Sequence, residues 1–272
     1  MEFEPQTGVS YHRSSRGAEG SHNGSAAVLK TAVRKDMQVR VLSPPPFLSF
    51  NNLQLVEVSP VTLEGQHVRL EPLSAVHEEA LTAAASDGEL WNSTVTIVPT
   101  RANMAAYIEA ALHGQAQGHE LPFIIIRKTS GEVVGTTRFY EIVPADRRVA
   151  IGYTWLSKSA QRTAVNTESK LLLLTHAFEY WRCVRVELIT DLLNQQSRAA
   201  ILRLGAKQEG ILRRHMIMPN GRIRDSVCFS IIAEEWLEVK ARLAAKLGQE
   251  AEPNNRQGPE ADGLGGVPEK RK

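Results

Sequence analysis

The stretch Gln161-Arg162-Thr163-Ala164-Val165-Asn166 joins a strand to a helix, and the reading of the chain turns on it. Before it, Arg147 to Leu156 reads as a strand, followed by the short loop Ser157-Lys158-Ser159-Ala160. After it, Asn166 to Trp181 sets Leu172, Leu173, His176, Ala177 and Tyr180 at helical spacing. The next strand, Val184 to Thr190, makes this the one long strand-helix-strand crossover in the chain. A helix start offers free backbone N–H groups and the positive end of the helix dipole, which suits a phosphate. Ala164 is small enough for close approach, Lys158 and Arg162 add positive charge, and Thr163 and Thr167 add hydroxyl donors. The same residues also suit plain helix capping by Thr163 or Asn166, and the segment alone does not separate the two.

On the N-terminal side, His67 to Leu73 alternates as a half-buried strand, and Ala75 to Ser86 reads as a helix ending near Gly88. Thr100 to Gln117 is a longer helix, with Met104, Ile108, Ala111 and Leu112 on one face and Gly118 as its stop. Phe123 to Ile126 and Val133 to Ile142 form a hairpin around Thr129-Ser130-Gly131-Glu132. On the C-terminal side, Asn194 to Leu204 is a helix closed by Gly205. A hairpin spans Lys207 to Ile232 around Pro219-Asn220-Gly221-Arg222, where Asn-Gly favours a type I′ turn. A helix over Glu234 to Leu247 comes last. The order β-α-α-β-β-β-α-β-α-β-β-α predicts an α/β (α+β) fold, a mixed and mostly antiparallel central sheet flanked by helices.

Three segments follow from composition. Residues 1–58, rich in Ser, Gly and charge and carrying Pro44-Pro45-Pro46, are expected to be disordered or loosely docked; 59–248 form the folded domain; 249–272 are a disordered tail. Lys+Arg 32 against Asp+Glu 30 leaves a net charge of +2, which argues against a dedicated nucleic-acid binder. No apolar run suits a membrane span and no secretory signal stands at the N-terminus, so the expectation is a cytoplasmic protein with Cys183 and Cys228 as free thiols. Neither cysteine has a partner at metal-ligand spacing, and no metal is expected. Dinucleotide fingerprints, Walker loops, G-x-S-x-G elbows and H-E-x-x-H are all missing from the sequence.

Several segments in fixed order carry a resemblance. They are Ile151-Gly152-Tyr153-Thr154-Trp155-Leu156, the Gln161–Asn166 turn, Thr167-Glu168-Ser169-Lys170-Leu171-Leu172-Leu173-Leu174, Asn194-Gln195-Gln196-Ser197-Arg198-Ala199-Ala200-Ile201, Leu204 to Gly210, Arg224-Asp225-Ser226-Val227 and Glu235-Trp236. Over roughly residues 60 to 240 the chain resembles the GNAT acetyltransferases, in particular the group resembling the ribosomal-protein acetyltransferases RimJ and RimL. The resemblance implies an acetyl-CoA-dependent N-acetyltransferase that moves an acetyl group to a primary amine by direct attack in a ternary complex. The acceptor would be a protein N-terminus, an amino acid or a small amine, and a homodimer stays open. It implies diphosphate binding by Gln161, Arg162, Thr163, Ala164, Val165, Asn166 and Thr167, and backbone contacts from Tyr153, Trp155 and Leu156 to the pantetheine arm and the thioester carbonyl. It also implies a CoA contact from Asn194 and a donor to the departing thiolate from Ser197. Helix capping by Asn194, with Ser197 at its third position, is the alternative for that pair.

Two features depart from the family pattern. Ala164 and Asn166 occupy its small positions and Arg162 stands where many members have Gly; because Ala164 lacks glycine's access to positive φ, the turn is expected to survive in a right-handed conformation. Ala150 stands where many relatives carry Glu. On the acceptor side, Trp91 and Arg138 are candidate substrate contacts, with a core role for Trp91 and an exposed strand position for Arg138 as the plainer readings. His176 reads as a core histidine, and Glu187 and Asp191 are candidate bases through water. Two rivals stand beside the enzyme: a non-catalytic acyl-CoA-binding or regulatory module of the same fold, and a nucleic-acid surface made by Arg213, Arg214, Arg222 and Arg224.

Overall fold

The computed structural model describes residues 58–251. The expectations for residues 1–57 and for 252–272 lie outside the described residues. The elements are β1 (Leu63–Glu64), β2 (Val68–Pro72), α1 (Glu78–Ser86), α2 (Met104–Ala116), β3 (Leu121–Arg127), β4 (Val133–Val143), β5 (Arg148–Leu156), α3 (Ala164–Thr175), β6 (Arg185–Asp191), α4 (Gln195–Leu204), β7 (Lys207–Ile217), β8 (Ile223–Ile232) and α5 (Trp236–Ala251). The strands form one sheet in the order β1-β2-β3-β4-β5-β6-β8-β7. β5 and β6 are parallel, as a helical crossover requires, and the other neighbours are antiparallel.

The sheet is buried on both faces in its middle. On β3, Phe123 and Ile125 enter a core cluster with Leu173 and Leu174 of α3, Ile201 of α4 and Leu243 of α5. Ile124 and Ile126 enter another with Leu81 of α1 and Met104 and Ile108 of α2. Helices on both faces explain why β3 reads as an unbroken apolar run rather than an alternation.

α3 is fastened to the sheet edge by a charge. The buried Glu168 carboxylate accepts the backbone N–H groups of Gln66 at 2.7 Å, His67 at 2.6 Å and Val68 at 2.7 Å, in the turn between β1 and β2. A Cβ at Gly65 would collide with that carboxyl group, so glycine permits the approach.

Local details differ from the sequence reading. β1 is too short to show a period. α3 starts at Ala164 instead of Asn166 and passes into a π-helical turn over His176–Tyr180. The β7–β8 turn is not type I′, because Gly221 (φ +80°) is left-handed while Asn220 is not, and type I′ needs both. α5 runs on to Ala251, overlapping the stretch read as a tail from Gln249.

Candidate active site

β5 and β6 pair only at Arg148–Arg185, Val149–Val186 and Ala150–Glu187. Beyond that point β5 stays with β4 as far as Gly135–Leu156, and β6 stays with β8 as far as Asp191–Ser226. The two strands therefore part and leave a V-shaped slot in the sheet. A bulge in β5 drives the separation: between the pairs Arg138–Gly152 and Thr136–Trp155, β5 carries an extra residue, and Tyr153 takes a left-handed φ of +49°. Such bulges bend a strand and raise its twist. The Ser157 N–H bonds the Val134 carbonyl at 2.8 Å, on the β4 side. Alternation then turns the Leu156 N–H and carbonyl toward the slot, where Gln161 Nε2 donates to that carbonyl at 3.0 Å.

The mouth of the slot is formed by two helix starts. At α3, Thr163 is the cap: its Oγ1 accepts the Val165 N–H at 3.3 Å and donates to the Ala160 carbonyl at 2.7 Å. Thr163 takes only one of the first-turn donors, so capping here leaves the others for an anion. The expectation of a right-handed turn fails two residues before Ala164. Arg162 has φ +61°, so the left-handed position falls on the residue for which the family resemblance expects glycine. Arg162 and Thr163 are exposed, whereas the side chains of Val165 and Thr167 are buried in the domain and Ala164 and Asn166 are half-buried. At α4, Asn194 Oδ1 accepts the Ser197 N–H at 2.9 Å and its Nδ2 donates to Thr96 Oγ1 at 3.0 Å. Ser197 is half-buried, and its hydroxyl makes no hydrogen bond among the described residues. Gln196 Nε2 reaches Gln161 Oε1 at 3.5 Å, which brings the two helix starts together.

Beneath the slot lies a residue that sequence reasoning placed only in a supporting segment. Lys170 of α3 is 6% exposed, and its Nζ donates to Thr154 Oγ1 at 2.6 Å and Thr137 Oγ1 at 3.2 Å. Among the described residues no carboxylate lies within ion-pair distance of it, and burial lowers its pKa to about 7.

The opposite face carries aromatic and charged groups. Arg138 is not an exposed strand arginine: it is 3% exposed, donates to Glu120 Oε2 at 2.6 Å, and lies 4.0 Å from the Tyr153 ring centroid and 5.0 Å from that of Tyr107. Sequence period alone missed this because its partners come from α2, the residue before β3, and β5. Among the described residues the buried Arg138 Nε has no hydrogen-bond partner. Tyr140 and Tyr153 stack edge to face at 5.3 Å, and Gly152 leaves room for the Tyr140 ring, which would stand 2.7 Å from a Cβ at that position. Burial pushes both phenols upward, so they stay protonated donors. Both candidate bases are engaged. Glu187 faces Arg185 at 2.9 Å and Arg148 at 3.8 Å; the buried Asp191 pairs with Arg222 and accepts the Leu193 N–H at 2.9 Å. His176 packs among Phe139, Tyr180 and Trp181, as a core histidine would. Trp91 packs on the cluster between α1 and α2, and Trp155 is buried in the same cluster, leaving only the Trp155 backbone for the slot.

Residues 67–207 match the family profile described as the acetyltransferase (GNAT) domain. The chain belongs to the GNAT acetyltransferase family. This GNAT chain is 31% identical to a GCN5-related N-acetyltransferase from Brucella melitensis of known structure, with a TM-score of 0.62 over 69% of this chain and 85% of that one. It is 30% identical over 106 residues to Bacillus subtilis (strain 168) YdaF, named as a candidate ribosomal N-acetyltransferase; the match spans 39% of this chain and 57% of that relative. Mycobacterium smegmatis RimJ, solved with CoA-disulfide, shares the fold at 22% identity and a TM-score of 0.61, over 70% of this chain and 96% of that one. In this GNAT domain the parted strands and the α3 start occur together in the order read from sequence.

Proposed function

We propose that this GNAT protein is an acetyl-CoA-dependent N-acetyltransferase acting on a primary amine within a ternary complex. One observation carries the reading: β5 leaves β6 after Ala150, and the α3 and α4 starts meet at the mouth of the resulting slot. The residues present fit acetyl-CoA. Unspent first-turn N–H groups and the exposed Arg162 suit a diphosphate, and the slot-facing Leu156 N–H suits an extended amide-bearing arm. Acetyl-CoA supplies the acetyl group in activated form, as a thioester.

The chain's own residues do the rest. Arg162, Thr163 and the α3 backbone anchor the diphosphate. The β5 edge from Tyr153 to Leu156 aligns the arm, and the bulge there aims backbone donors at the carbonyl to be attacked. The Asn194 cap fixes the α4 start so that the Ser197 hydroxyl, free of protein partners among the described residues, can donate to the departing sulfur. The acceptor enters from the Tyr140–Tyr153 face, and amino groups, including protein N-termini, are the acceptor class.

Calorimetry with Arg162→Glu tests the donor site. The substitution places a negative charge at the diphosphate and should weaken acetyl-CoA binding at least tenfold, by roughly 1.4 kcal/mol or more. An unchanged dissociation constant refutes the assignment. Thiol release over a panel of amines tests the transfer; tight binding with no release favours the acyl-CoA-binding alternative, which Ala150 motivates by removing a carboxylate from β5.

A further inference from the structure

Four arginines near the slot are paired with carboxylates. Arg138 has Glu120, Arg148 has Asp146 and Glu187, Arg185 has Glu187 and Glu209, and Arg222 has Asp191. Arg224 of β8 differs. It is half-buried, its Nε donates to Ser226 Oγ at 2.9 Å, and among the described residues no carboxylate lies within 4.0 Å of it. Its charge is felt by Asp191, already held by Arg222, by the phenols of Tyr140 and Tyr153, and by the repelling Arg222 guanidinium. Burial lowers the Arg224 pKa from its ordinary value, as expected of a cation short of a counter-charge.

Among the described residues neither terminal nitrogen of Arg224 makes a hydrogen bond, so its forked donors are open to an anionic group. Two phenol hydroxyls, neither hydrogen-bonded among the described residues, stand on the same face and donate without titrating near neutral pH. Planar forked donors match a carboxylate in bidentate fashion. We propose that Arg224, with Tyr140 and Tyr153 beside it, binds a carboxylate on the acceptor, so that this enzyme prefers amines carried by an acidic molecule. The inference rests on the acetyltransferase reading for the identity of its ligand. The carboxylate has two sources, the α-carboxylate of a free amino acid or the side chain of an acidic residue next to a peptide N-terminus.

Binding of acetylated products in the presence of CoA tests this without relying on turnover. The probes are N-acetylalanine against N-acetylalaninamide for the first source, and acetyl-alanyl-glutamate amide against acetyl-alanyl-glutamine amide for the second. The full-length protein should bind the carboxylate of at least one pair about tenfold or more tightly, as expected for charge-assisted hydrogen bonds, and the pair that responds identifies the source. Arg224→Gln should erase that preference, leaving affinity for the neutral member and for CoA unchanged. Equal affinity within both pairs, no measurable binding of any probe, or a preference that survives in Arg224→Gln overturns the proposal. Unselective acetyl transfer to an amine panel would sink this inference and leave the transferase reading standing; selective product binding without any transfer would do the reverse.

Discussion

Lys170→Met should remove a rise of stability with pH that the native chain shows just above neutrality. The Lys170 amine has been taken out of water beneath β5, where two threonine hydroxyls and, among the described residues, no carboxylate meet it, and its pKa falls to about 7. The sign follows from linkage. Above the folded value and below the ordinary lysine value, the unfolded chain binds the proton and the folded chain does not, so stability rises with pH. One proton corresponds to about 1.4 kcal/mol per pH unit. Because the folded group is already half deprotonated at pH 7, the gain between pH 7 and 8.5 comes to about 1.6 kcal/mol. The window stops there because burial also raises the Cys183 thiol, to about 11, and a buried thiol acts in the opposite sense once free thiols begin to ionise. The assay is urea unfolding at the two pH values, comparing midpoints at constant slope. Methionine keeps the aliphatic volume, so Lys170→Met should show the native pH trend with this increment subtracted, and should be the more stable protein at pH 6. An identical pH increment in both proteins would refute the argument that the ammonium is buried without compensation.

Three further outcomes follow from geometry. Arg162→Gly should relieve a left-handed non-glycine residue and stabilise the fold by about 1 kcal/mol in urea, while its lost charge weakens acetyl-CoA binding; a drop in stability would show that the arginine side chain matters to the fold. Glu168→Gln offers an amide group to backbone donors that need acceptors, and should cost about 2–4 kcal/mol of stability, read as a lowered Tm. Ser197→Ala should cut kcat by about tenfold or more with the acetyl-CoA dissociation constant nearly intact, and an unaltered kcat would make Ser197 part of the cap alone.

What could be read from sequence was whatever repeats along the chain. The unbroken apolar run of β3, the helical spacing after Asn166 and the single long crossover led to the element order, and that order located the slot. Features that depend on how distant segments meet were not readable in this way. Glu168 and Lys170 stand two residues apart in a helix, on different sides of it, and their spacing names no partner for either. In the fold both are buried, one against the β1–β2 turn and the other against threonines of β4 and β5. Arg138 misled for the same reason, since a charged residue in a strand reads as exposed until Glu120, Tyr107 and Tyr153 are brought around it. The left-handed φ at Arg162 escaped as well, because the turn is imposed by the geometry between β5 and α3 and not by glycine's permissiveness. Three of these four residues lie on α3 or in the turn that leads into it, the segment packed between the sheet edge and the slot. A helix in that position must satisfy polar groups on both sides. It is on this helix that substitutions should separate folding from acetyl-CoA binding most clearly, with Glu168→Gln and Lys170→Met acting on stability and Arg162→Glu on binding.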